Sequence, residues 1–121
     1  MHIAHKAFAI GLLTGALLGS FGREAAAHGD ASWIMENPET RVCCGPQDCG
    51  PLRIYDGTAE EISTGEWQVT IPPGTHPLVP RGDTRVFREG ERGTYTSQRL
   101  EPYVCAYGGQ IRCFFAEPMG F

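Results

Sequence analysis

The chain predicts a small, mainly β fold: antiparallel strands stapled by disulfides, about four to six of them, with one short helix near the start of the domain. The arrangement is compatible with a partly open barrel. Three observations carry this expectation. Five cysteines (Cys43, Cys44, Cys49, Cys105 and Cys113) follow an export signal, and small exported domains lean on disulfides because their cores are modest. Trp67-Gln68-Val69-Thr70-Ile71 alternates apolar and polar side chains with the period of a strand. Gly108-Gly109 sits between two apolar runs, a strong hairpin signal. The 16 glycines and 9 prolines further favour short strands and turns over long helices.

The signal occupies residues 1–27. A short start with Lys6 is followed by an apolar run from Ala7 to Gly19 and then by Ala25-Ala26-Ala27, the three-part layout of a secretory signal peptide. The apolar run of 13 residues is short of the roughly 20 needed to span a membrane as a helix. Cleavage after Ala27 would leave residues 28–121 as a single domain in the periplasm or outside the cell. In that part every basic residue is Arg, 8 in all, against 13 Asp and Glu. The balance argues against nucleic acid and against anionic membrane surfaces, which both need a basic footprint.

Residues 28–36 read as a surface lead-in from which Trp33 and Ile34 dock. Asn37-Pro38-Glu39-Thr40 has the residues of a helix start, with Asn as cap and Pro at the first helical position. That helix would carry Cys43 and Cys44 and stop before Gly45-Pro46. Leu52 to Tyr55 reads as a strand closed by Asp56-Gly57, and the polar stretch up to Glu66 as a loop. The strand at Trp67 to Ile71 ends at Pro72-Pro73-Gly74. Arg85 to Arg88 reads as a short edge strand, and Glu89 to Arg99 as an exposed loop. Pro102 to Tyr107 and Gln110 to Phe115 then form the two arms of the hairpin. A three-residue loop would set Cys105 directly opposite Cys113; a two-residue loop would offset them by one.

The segment Cys43-Cys44-Gly45-Pro46-Gln47-Asp48-Cys49 resembles the CC-x3-DC motif of a group of small exported proteins of alphaproteobacteria. The ending Cys113-Phe114-Phe115-Ala116-Glu117-Pro118 is similar to that group's Cys-aromatic-aromatic-x-Pro terminus. The resemblance implies an exported, disulfide-containing architecture and brings no activity with it.

The cysteine spacing fits a disulfide framework better than a zinc site, which needs short and regular ligand pairs. No Cys-x-x-Cys occurs, so a thioredoxin-type dithiol and a covalent c-type haem lack their motif. Two connectivity schemes remain open. Bridges can join the cluster Cys43, Cys44, Cys49 to the hairpin pair Cys105, Cys113, or each group can pair within itself. Loop entropy favours a contribution from the long-range scheme. An odd number of cysteines leaves one thiol over, which could link two copies into a dimer.

After cleavage the α-amine and imidazole of His28 would belong to one residue. With His76 they make the kind of three-nitrogen set that holds Cu(II). The plain alternative is that His28 is a chain end and His76 a loop residue beside Pro77. Ser32, Ser63 and Ser97 lie in no Gly-x-Ser-x-Gly elbow, and Glu60-Glu61 reads as a solvated face. Of Tyr103, Tyr107, Phe114 and Phe115, one face is expected in the core and the other covered by the N-terminal helix or left partly exposed. The expectation for function is a non-enzymatic exported binding or structural module. A periplasmic copper-binding protein using His28 and His76 is the alternative, and an enzyme using the odd thiol is a third reading.

Overall fold

The structure, a computed structural model, describes residues 31–43 and 48–118. The segment expected to be an export signal, His28 and Cys44 lie outside the described residues. The described chain forms helix α1 (Ser32–Glu36) and strands β1 (Cys49–Pro51), β2 (Thr58–Ser63), β3 (Glu66–Ile71), β4 (Asp83–Arg88), β5 (Thr94–Thr96), β6 (Tyr103–Tyr107) and β7 (Gln110–Ala116). Two single 3-10 turns, Arg41–Cys43 and Leu52–Tyr55, complete it. The strands build two sheets, a four-stranded one ordered β1-β6-β7-β5 and a three-stranded one ordered β2-β3-β4. The mainly β expectation holds, with more strands among the described residues than foreseen, arranged in two sheets that do not close into a barrel.

The β6–β7 hairpin organises everything else. Tyr107 pairs with Gln110, so the loop is the two residues Gly108-Gly109, with φ of 63° and 81°. Positive φ at both positions is the signature of a type I′ turn, which only glycine and a few polar residues adopt cheaply. A two-residue loop alone would offset the cysteines. Instead the register shifts between Cys105 and Ala106, so that Cys105 faces Cys113 while Ala106 faces Ile111. Arg112 is the extra residue of this bulge, without a partner across the ladder.

Alternation along the hairpin sends its side chains to two separate cores. Val104, Ala106, Ile111, Phe114 and Ala116 pack against Val69, Ile71 and Phe87 of the second sheet, with Leu52, Tyr55 and Val79 closing the edges. Tyr103, Cys105, Cys113 and Phe115 face the other way, onto Ala31, Trp33 and Ile34 of the helical segment. The bulge makes this possible: in a regular strand Ile111 and Cys113, two residues apart, would point to the same side. Trp33 meets Tyr103 and Phe115 edge-on, each with ring centroids 5.2 Å apart. The β6–β7 ribbon is thus the middle layer of three, buried on both faces.

Four local expectations are corrected. The helix lies at Ser32–Glu36, before Asn37-Pro38 rather than after it. A residue preceding proline is pushed out of helical space, and Asn37 is extended, with φ −91° and ψ 121°. The capping chemistry survives as a turn: Asn37 Oδ1 accepts the Glu39 N–H at 3.0 Å, and Thr40 Oγ1 donates to the Ile34 carbonyl at 2.6 Å. Leu52 to Tyr55 is a 3-10 turn, because Leu52 and Tyr55 share the buried side while Arg53 and Ile54 face solvent. The polar stretch after Gly57 is strand β2, exposed at all its positions, and its Glu60 and Glu61 sit on a sheet edge where charge discourages pairing with another chain. The presumed loop before Arg99 contains β5, which runs parallel to β7. The strand at Arg85 to Arg88 is an edge strand as expected, starting at Asp83.

Candidate functional site

The cysteines resolve into two nested bridges, Cys43–Cys113 and Cys49–Cys105. Both join the first cluster to the hairpin. Cys49 and Cys105 are direct partners across the β1–β6 ladder, with Cα atoms 4.1 Å apart. Cys113, on the neighbouring strand, reaches Cys43 at the end of the first 3-10 turn. All four are buried, and they form the middle of the core under α1. Stable bridges of this kind point to a non-reducing compartment. No helix among the described residues is long and apolar enough to cross a membrane.

His76 sits in the core, 1% exposed, not on a loop surface. Its Nδ1 accepts the Leu78 N–H at 3.1 Å, so the proton sits on Nε2, which donates to the Asp48 carbonyl at 3.0 Å. Tyr55 packs on the imidazole with ring centroids 4.4 Å apart. Burial pushes the Tyr55 phenol above its ordinary value, and the nearby Asp48 carboxylate adds to the effect. Both imidazole nitrogens hydrogen-bond to backbone, which ties the 72–82 segment to Asp48 at the start of β1. Among the described residues no group of three or more His, Cys, Asp or Glu side chains is placed to hold a metal ion. Among the serines, the Ser97 hydroxyl accepts the Arg99 N–H, and Ser32 and Ser63 are exposed.

Two surface depressions carry polar and aromatic side chains together. The first is a groove of about 280 Å³ where the sheets part company, lined by Trp67 of β3, by Thr94, Tyr95 and Thr96 of β5, and by Glu61, Glu89 and Glu117 around the rim. Trp67 is packed against Phe114 at 5.8 Å and Tyr95 stacks on Phe115 at 5.2 Å, so both aromatic walls are anchored from behind. Thr94 Oγ1 is buried here with no hydrogen-bond partner among the described residues.

The second depression, of about 380 Å³, lies at the hairpin bulge. Arg85, Arg92 and Arg112 line it together with Tyr95, Tyr107 and the Cys43–Cys113 bridge. Tyr95 therefore stands between the two sites. Neither depression was apparent from the sequence. Their residues come from segments far apart in the chain, and the sole hint was that the basic residues of the domain are all arginine.

No protein-family model, curated protein or solved structure matches this chain. Function must be argued from the sites alone.

Proposed function

We propose that the protein is a non-enzymatic exported binding module, released by cleavage before His28 and acting in the periplasm or outside the cell. The ligand seat in this reading is the Trp67 groove. The observation that carries it is the Thr94 hydroxyl, buried without a partner among the described residues in a strand that lines the groove beside Trp67 and Tyr95. Buried polar atoms in folded proteins are almost always paired, so such a hydroxyl is suited to a hydrogen bond from a bound molecule. Aromatic walls favour a flat apolar group, and the rim carboxylates of Glu61, Glu89 and Glu117 favour one bearing positive charge. The two bridges anchor β6 and β7, and β5 pairs directly with β7, which limits the ordering cost of binding.

The test is a titration with benzamidine, an aromatic cation, against benzoate as the matched anion. Benzamidine is expected to shift the amide signals of Thr94 and Tyr95 and the indole signal of Trp67, leaving the buried Trp33 unchanged. Benzoate should do neither, and Trp67→Ala should abolish the response. Benzamidine signals scattered over the surface, or a response unchanged in Trp67→Ala, would remove the groove as the ligand seat.

A further inference from the structure

The arginine cleft at the hairpin bulge carries a second assignment, independent of the Trp67 groove. Three of the eight arginines of an otherwise acidic domain converge there from three segments: Arg85 from β4, Arg92 from the turn before β5, and Arg112 from the bulge in β7. Unlike Arg53 and Arg88, which are paired with Glu101 and Glu66, none of the three makes an ion pair among the described residues. Like charges gathered without counter-charges repel, so the arrangement costs stability unless a ligand neutralises it.

Two of the guanidinium groups are held in place. Arg85 Nη1 donates to the Ile111 carbonyl at 2.9 Å while its guanidinium lies over the Phe87 ring, 4.8 Å from the centroid. Arg112 Nε donates to the Tyr107 carbonyl at 3.1 Å and its guanidinium covers the Tyr107 ring at 4.7 Å. Gly108 leaves room for this pose: a Cβ there would stand 3.0 Å from Arg112 Nη2. Each group keeps most of its five N–H donors free, already oriented by a ring and a carbonyl. Arg92 is exposed and makes no hydrogen bond among the described residues. Asp83 lines the adjoining depression with Arg85 and Arg112, and its Oδ2 already accepts the Ile111 N–H at 2.9 Å.

The bulge is what aims Arg112. The strand steps out of register at this residue, Ile111 and Cys113 turn to opposite cores, and Arg112 between them is half-buried and belongs to neither core. Bulges that re-aim one side chain are common beside binding sites. The cleft floor is the Cys43–Cys113 bridge, so the geometry is pinned covalently.

We infer that this cleft is a binding site for a phosphate-type oxyanion, held by Arg85, Arg92 and Arg112. Guanidinium forks match the geometry of phosphate oxygens, and three positive charges favour a multiply charged group over a single carboxylate. The group can come as a free phosphate compound or as the headgroup of an anionic lipid. Pyrophosphate, and separately vesicles of phosphatidylglycerol against phosphatidylcholine, distinguish these sources.

Pyrophosphate is expected to shift the amide signals of Gly93, Arg112 and Cys113, with a dissociation constant below about 1 mM at low salt. Arg92→Gln, at an exposed position without contacts to lose, should weaken binding about tenfold. Arg112→Gln should weaken it further, and the Trp67→Ala variant should leave it unchanged. Vesicle binding that pyrophosphate competes away and Arg92→Gln weakens would assign the headgroup as the source. Pyrophosphate binding without vesicle binding would assign a soluble phosphate. Absence of pyrophosphate binding, shifts spread equally over Arg41, Arg53 and Arg81, or binding indifferent to both arginine variants would overturn the assignment.

Discussion

The two disulfides are nested, Cys49–Cys105 inside Cys43–Cys113, with sequence separations of 56 and 70. Nesting makes their contributions interdependent. In the loop-closure description a bridge closing 70 residues removes about 4.4 kcal/mol of unfolded-chain entropy at 25 °C, and one closing 56 removes about 4.2 kcal/mol. The second bridge to form does not close its full span, because the first has already brought the ends together. It closes a ring of the two short arms between the bridges, whose length is the difference between 70 and 56, or 14 residues. A ring of that size corresponds to about 3 kcal/mol. Removing either bridge alone should therefore cost about 3 kcal/mol, close to the burial of one phenylalanine. Removing both should cost about 7 kcal/mol, more than the sum of the single losses and comparable to the whole stability of many small domains.

The assay is urea unfolding of oxidised protein at 25 °C, with each cysteine pair replaced by alanine in a Cys44→Ser background that prevents reshuffling. The two single-bridge variants should lose similar amounts, and the bridge-free protein should be unfolded without denaturant. If one bridge costs well over 4 kcal/mol and the other almost nothing, the nested-ring reasoning fails. It fails equally if the bridge-free protein unfolds cooperatively at the stability of a single-bridge variant.

Three further outcomes are expected. The raised Tyr55 phenol means that the folded state keeps this proton after the unfolded chain releases it near pH 10. Its contribution is present below that pH and is lost as pH rises above it, so alkaline unfolding should begin there and Tyr55→Phe should flatten the slope in pH-dependent urea melts. Gly82, with φ of 72°, leaves no room for a side chain, since a Cβ would stand 2.5 Å from the Ile71 carbonyl oxygen; Gly74, with φ of 81°, faces open space. Gly82→Ala should cost more than about 2 kcal/mol and Gly74→Ala about 1 kcal/mol, and equal losses in thermal melts would contradict the crowding argument. The bridges consume four of the five cysteines and leave Cys44. Alkylation of the unreduced protein, read by mass spectrometry, should label Cys44 alone, or non-reducing electrophoresis should show a dimer that Cys44→Ser abolishes; label on any other cysteine would contradict the pairing.

Elements whose cause is local were legible in the chain. The alternation from Trp67 to Ile71 names its own buried face, and Val69 and Ile71 are buried as it requires. Gly108-Gly109 can hardly do anything but turn, because both backbones need positive φ. The apolar side chains Tyr103 and Phe115 called for cover on the second hairpin face, and Ala31, Trp33 and Ile34 supply it.

Short segments with two competing periods were not legible. Four residues at Leu52 to Tyr55 read equally well with period two or three, and contact of Leu52 and Tyr55 with the same core decided for three. β2 is polar on both faces because it is an edge, and β5 earns its strand character only from β7 beside it. Asn37-Pro38 carries chemistry that can start or stop a helix, and the burial of Trp33 and Ile34 placed the helix on the upstream side.

Five cysteines in so small a chain pointed to bridges and to one thiol left over. Which sulfurs meet was decided by the pairing of β1 with β6 and by the bulge that places Cys113 under Cys43. The same bulge turned Arg112 outward to join Arg85 and Arg92. Such meetings depend on strand order and register, which arise from packing of distant segments against one another. A single chain read in order contains the local preferences; the convergence of its charges and sulfurs exists only once the two cores have set the strands side by side.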